Sequence, residues 1–120
     1  MKSDIEQDIQ AAGLTAPRIT PADIEANINE EFYFTAMDGC DGASDEAAGQ
    51  WLGIPPDCLN LLTFCVLVLR NGFTVTGESA CASPENFNAE IGRKIARENA
   101  VAKVWPLMGY ELKSKLSTKE

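Results

Sequence analysis

The stretch that most constrains this chain is Leu62-Thr63-Phe64-Cys65-Val66-Leu67-Val68-Leu69, followed by Arg70-Asn71-Gly72-Phe73 and Thr74-Val75-Thr76-Gly77-Glu78-Ser79. Two β-rich runs joined through Asn-Gly predict an antiparallel hairpin with a two-residue turn, because both turn residues tolerate positive φ. That turn pairs Leu69 with Thr74, Leu67 with Thr76 and Cys65 with Glu78. It sets Phe64, Val66, Val68, Phe73 and Val75 together on the opposite face. One face is then wholly apolar, and the other mixes Leu67 and Leu69 with hydroxyls and a carboxylate. A lone hairpin is barely stable in water, so both faces require cover from helices or another chain.

Helical signals surround the hairpin. Ser3 and Glu6 have capping-box spacing and Gly13 is placed to end a short helix, so residues 1–19 read as an arm. Thr20 caps, Pro21 fits the first helical position and Asp23 follows three residues after the cap. Ile24, Ile28 and Phe32 then recur every four residues, which predicts a helix over about 21–34. Residues 37–60 carry six glycine or proline breaks and an acidic cluster around Asp38, Asp41, Asp45 and Glu46, and read as a solvated loop without calcium-site spacing. Ser83 and Pro84 announce a final helix, whose stripe is Phe87, Ile91, Ile95, Val101, Ala102 and Trp105. Pro106 must kink or interrupt it, with Leu107, Met108, Leu112 and Leu116 beyond. Gly92, Ala96 and Ala100 form a second row, read either as tolerated surface positions or as the close approach of another backbone in a helix-packed dimer.

The expected fold class is therefore α+β: an N-terminal helix, an antiparallel β-hairpin or small sheet, and a long C-terminal helix kinked at Pro106. Residues 1–19 form the arm, and residues 20–120 a single ligand-binding domain. A compact domain of 120 residues has a radius of gyration of about 14 Å. No apolar run reaches the roughly 18 residues that span a bilayer, and no signal-peptide pattern opens the chain, so no membrane association and a cytoplasmic location are expected.

Charge and missing residue types narrow the chemistry. The net charge is −8, unevenly spread: residues 1–83 hold three basic and thirteen acidic side chains, residues 84–120 seven basic and five acidic. This opposes general nucleic-acid binding, while the locally basic last third suits a small anion. There is no histidine, and Cys40, Cys58, Cys65 and Cys81 form no C-x-x-C pair. Ser-His and Cys-His nucleophiles are thereby removed, and a zinc site would need four scattered thiolates. Neither an enzyme nor a cofactor is expected.

Candidate ligand contacts follow from side-chain chemistry. Arg93 and Arg97 are one helical turn apart, where two guanidinium forks match a phosphate or pyrophosphate, although intrahelical pairing such as Glu90 with Lys94 is the plainer role for charges on this helix. The turn from Ser79 to Asn86 puts hydroxyl and amide groups, Ser83 and Asn86 among them, at a helix start that favours anions. Phe73 at the hairpin tip, like Trp105 and Tyr110 near the proline, offers a stacking ring or belongs to the core.

The stretch Asn71-Gly72-Phe73-Thr74-Val75-Thr76-Gly77-Glu78-Ser79-Ala80-Cys81 continues through Pro84-Glu85-Asn86-Phe87 and Ile91-Gly92. Together with Ala96, Trp105, Gly109-Tyr110 and Leu112, it resembles a family of small tailed-bacteriophage proteins that includes the Thoeris anti-defence sponge proteins. The resemblance covers about residues 20–116 and is densest over 62–112. It implies a protein that binds glycocyclic ADP-ribose, a cyclic nucleotide signal made by bacterial TIR-domain defence enzymes, and holds it without cleavage. Some members take up cyclic oligonucleotides at a separate site in a larger assembly. By resemblance and chemistry, Phe73 stacks on the base, Thr76 and Asn86 bond sugar hydroxyls, and Arg93, Arg97 and N–H groups from Ser83 to Asn86 hold the pyrophosphate. A homodimer, or by resemblance a hexamer, in the host cytoplasm is expected. The competing expectations are an acidic phage protein that inhibits a host factor by mimicking DNA charge, and an unrecognised hydrolase.

Overall fold

The computed structural model describes residues 2–43 and 54–118. Helix α1 (Lys2–Ala11) ends as its sequence predicts. Gly13 takes φ 69°, its N–H reaches Gln10 O at 3.0 Å, and Leu14 N–H reaches Ile9 O at 3.4 Å, which closes the last turn. Helix α2 (Pro21–Asn27) starts on a full capping box: Thr20 N–H donates to Asp23 Oδ2 at 2.9 Å, and Asp23 N–H to Thr20 Oγ1 at 3.1 Å.

The helix expected over 21–34 stops at Asn27, and Ile28–Thr35 is strand β1. A spacing of four fits two strand periods as well as one helical turn, so Ile28 and Phe32 did not discriminate. The aromatic and β-branched run Phe32-Tyr33-Phe34-Thr35 favours a pleated strand, and pairing with a neighbour satisfies its backbone. A bulge between Ile28 and Glu30 sets Ile28 opposite Leu69 on the core side, whereas Phe32 and Phe34 pair with Val66 and Phe64 on the other face.

Helix α3 (Ala36–Ala43) replaces the first part of the expected acidic loop. A second capping box starts it, with Thr35 N–H donating to Asp38 Oδ2 at 2.9 Å and Asp38 N–H to Thr35 Oγ1 at 3.1 Å. Gly39 and Gly42 disguised this helix in the sequence. The rest of that acidic stretch, residues 44–53, lies outside the described residues; Asp57–Leu61 is a 3-10 turn.

Strands β2 (Leu62–Leu69) and β3 (Thr74–Ala80) form the predicted hairpin, and β1 joins to give an antiparallel sheet in the order β1-β2-β3. The register is shifted by one residue from the two-residue turn. Leu67 faces Val75, Cys65 faces Gly77 and Phe64 faces Glu78. Three residues, not two, make the turn: Gly72 N–H donates to Leu69 O and Leu69 N–H to Phe73 O, both at 2.9 Å. Only Gly72 has positive φ, 89°, while Asn71 stays at negative φ and accepts from Phe73 N–H at 2.9 Å through its side chain. This is the turn with a single left-handed glycine bulge. The shift exchanges the faces. Cys65, Leu67, Leu69 and Val75 are the buried set, and Phe64, Val66 and Val68 are half-buried on the opposite side.

A 3-10 turn at Pro84–Asn86 precedes helix α4 (Ala89–Ser117). The final helix therefore begins five residues later than Pro84 predicts, and Asn88 caps it by accepting Ile91 N–H at 3.0 Å. It runs through Pro106 to Ser117 as one element. The inner face also differs from the expected stripe. Gly92, Ala96, Ala100, Val101 and Val104 are buried, while Ile91 and Ile95 are 54% and 44% exposed and Ala102 is exposed. The small-residue row does mark a close backbone approach, but the partner is this chain's own β3. A Cβ on Gly77 would overlap Ala96 O and Ala100 N. The core consists of Ile24, the inner side chains of β2 and β3, and this row of α4, with Ile19, Tyr33, Trp105 and Met108 packed around it.

Candidate ligand-binding site

The six candidate ligand contacts do not converge within one chain. Phe73 is 56% exposed at the hairpin tip. Thr76 is exposed on the sheet face turned away from α4, since its neighbours Val75 and Gly77 point inward. Arg93 lies at the other end of the sheet, where it shares a cleft with Thr63. Six strand residues from Leu69 to Thr63 put Phe73 and Arg93 about 20 Å apart.

Ser83 and Asn86 occupy the 3-10 turn and not the first turn of α4. The Ser83 hydroxyl donates to Glu85 Oε1 at 2.7 Å, a contact that holds the Glu85 carboxyl below its usual range. Asn86 N–H and Phe87 N–H donate to Ser83 O and Pro84 O at 3.0 and 3.2 Å. Those amides are already used. The N–H groups left without an intrahelical partner are those of Ala89 and Glu90, at the true start of α4.

The two arginines have different surroundings. Arg97 is tied to Glu25 by two hydrogen bonds of 2.8 and 3.2 Å and to Glu31 by one of 3.2 Å. Tyr33 O–H donates to the second oxygen of Glu31 at 2.7 Å. The Tyr33 bond, with help from Arg97, holds the Glu31 carboxyl below its usual range, whereas burial and then Glu31 push the Tyr33 hydroxyl up. Glu25 foremost, then Glu31, push the Arg97 guanidinium further up. This network fastens α2 and β1 to α4, and its two carboxylates outweigh the one cation. Arg93 makes no ion pair among the described residues. Lys94 pairs with Glu90 at 3.8 Å, both side chains largely exposed.

Arg93 and Ala89, one turn apart on α4, border a cavity of about 140 Å³. Tyr33, Phe34 and Phe87 supply its rings, Thr35 and Thr63 its hydroxyls, and Asp38 a carboxylate already engaged as the α3 cap. Phe34 and Phe64 stack beside it at a centroid distance of 5.6 Å. A guanidinium, the open amides of a helix start and aromatic walls together suit a phosphate attached to a ring. Around the corner of α4, Asn86, Asn88, Ile91, Ile95, Ser79 and Cys81 border a second cavity of about 260 Å³. Both are smaller than the roughly 300–1,000 Å³ that ordinarily enclose an organic ligand.

Of the six sequence candidates Arg93 alone borders this cavity, and its neighbours there, Phe87, Tyr33 and Phe34, were not among them. Phe87 had been placed in the buried stripe, and the β1 aromatics in a helix. The four cysteines are free, and among the described residues no three metal-ligating side chains gather. No helix among them is long and apolar enough to cross a membrane.

A family model described as "Phage protein (N4 Gp49/phage Sf6 gene 66) family" matches residues 19–116, most of the chain. No curated protein and no solved structure matches. The chain belongs to that bacteriophage protein family.

Proposed function

We propose that this member of the phage family is an anti-defence sponge, which binds a cyclic ADP-ribose signal and sequesters it without cleavage. The observation that carries the reading is Arg93: an arginine without an ion pair among the described residues, beside the open amides of α4 and three aromatic rings. Arg97 is committed to Glu25 and Glu31 and leaves the phosphate to Arg93. Retaining a ligand needs only equilibrium complementarity, with nothing stronger in a transition state.

The ligand site is composite. Each cleft at the α4 start is too small alone, and Phe73 and Thr76 stand at the far end of their own chain. In a homodimer the partner's hairpin tip brings a stacking ring to the Arg93 cleft, which gives Phe73 its role in the site.

Isothermal calorimetry with purified glycocyclic ADP-ribose tests the reading. Wild-type protein is expected to bind it and to release it intact on denaturation. Arg93→Ala is expected to weaken binding at least tenfold, since a hydrogen bond to a charged group contributes about 1.5–3 kcal/mol, with an unchanged melting temperature. Absence of heat, or recovery of a cleaved product, overturns it. Stoichiometric capture of a host protein with no nucleotide would favour an acidic inhibitor of a host factor instead.

A further inference from the structure

We propose that the cleft between the N-terminal arm and α4 is a second binding site, which takes a small neutral aromatic molecule of one or two rings. The cavity there measures about 280 Å³. Ile5 and Ile9, one turn apart on α1, form one wall; Ile19 and Pro21, where the chain enters α2, form the next. The indole of Trp105 on α4 completes it, and both Trp105 and Ile19 are anchored against the core.

The lining dictates the ligand. Three isoleucines, a proline and an indole offer dispersion and ring stacking, and almost nothing polar. Among the described residues the charges lining it are Arg18 and Glu6, and Arg18 grips Glu6 through two hydrogen bonds of 2.8 and 2.9 Å. These side chains are only 27% and 18% exposed and neutralise one another, so an ionic ligand would have to break the pair to gain a partner. An apolar cavity of about 150 Å³ holds one benzene ring, so the space here matches a bicyclic ring.

The site is distinct from the Arg93 cleft. Trp105 follows Arg93 by twelve residues, about 18 Å along the helix axis. Ile5, Glu6, Ile9 and Arg18 also precede residue 19, so this wall lies outside the segment that the family model matches.

Indole is a suitable probe: neutral, bicyclic and soluble at millimolar concentration. In the 120-residue protein carrying 13C-labelled isoleucine methyls, titration with indole is expected to produce saturable ring-current shifts at Ile5, Ile9 and Ile19. The methyls of Ile24, Ile28, Ile54, Ile91 and Ile95 should stay in place. Ile9→Trp fills the cavity and is expected to raise the dissociation constant at least tenfold, with the α4 and sheet resonances unchanged. Shifts that stay linear, that spread to Ile91 and Ile95, or that persist in Ile9→Trp overturn the proposal.

Discussion

Gly77 decides how closely α4 lies on the sheet. An added methyl would overlap Ala96 O and Ala100 N and stand 2.8 Å from Ala100 Cα, all backbone atoms that cannot rotate aside. Gly77→Ala must lift the helix from β3, and is expected to destabilise the fold by about 3 kcal/mol in urea unfolding. A loss under about 0.5 kcal/mol would show that the helix is not held there. Gly109 is the opposite case: it lies inside α4 with nothing within 4 Å of the added carbon. Gly109→Ala is expected to stabilise by about 0.5–1 kcal/mol through helix propensity alone. The spacing of Gly92-Ala96-Ala100 fitted either tolerated surface positions or a close backbone approach, and the fold shows the approach. Which backbone approached was not legible, because small residues record a distance and not the identity of the neighbour. Arg97 has the same ambiguity. Its spacing from Arg93 fitted a shared phosphate, whereas Glu25 and Glu31, far away in the sequence, hold it in the fold. Arg97→Leu strands those two carboxylates and is expected to cost about 1–2 kcal/mol of stability, while leaving nucleotide affinity within threefold; a tenfold affinity loss would restore it to the phosphate site.

At the scale of elements, local chemistry was legible wherever it depended on neighbours in sequence. The α2 capping box, the Gly13 stop and the β2-β3 hairpin all follow from it. It failed where two periodicities coincide, as over Ile24, Ile28 and Phe32, and where Asn-Gly admits two turn lengths. One extra turn residue then exchanged the faces of the hairpin and hid the true core. The arm offers a direct test of another local feature. Hydrogen bonds from Arg18, and secondarily from Gln10, hold the Glu6 carboxyl down to about 2, against 4.5 for an unperturbed one. A carboxyl depressed in the folded state favours that state fully above its ordinary value, and the advantage fades as pH falls through the lowered one. Between pH 4.5 and 2 the arm should therefore undock, with the Ile5 and Ile9 methyl resonances moving to arm-free positions. In Glu6→Gln that movement should be absent. The same pH profile in both proteins would mean that the Arg18 pair does not hold the arm.

The whole molecule is longer and thinner than a compact domain of its length. Its radius of gyration is 18.8 Å, not about 14 Å, and its extents are 58 × 34 × 17 Å. A 29-residue helix alone spans about 43 Å, and the arm adds to the reach. A thickness of 17 Å accommodates little more than one helical layer on one sheet; among the described residues, Gly39 of α3 lies against Phe34 on the face opposite α4, and Phe32 there is left exposed. Phe32 is 53% and Phe34 39% exposed on that face, with Phe64, Val66 and Val68 half-buried beside them. The homodimer proposed here uses this surface. The row of small residues is already spent inside the chain, against Gly77, and the proposed association is therefore assigned to the other side of the sheet. Packing two such faces covers the phenylalanines and supplies the missing walls of the Arg93 cleft, which Phe34 itself borders. Phe32→Lys places a charge at the centre of the contact, and in sedimentation velocity it should convert a dimer into a 13.0-kDa monomer that has lost nucleotide binding. Because Phe32 lies on the sheet face opposite the α4 row and is half exposed, its unfolding midpoint at low concentration should stay near that of dissociated wild type. A wild-type protein that sediments as a monomer at tens of micromolar yet still binds the nucleotide would remove both the dimer and the composite site.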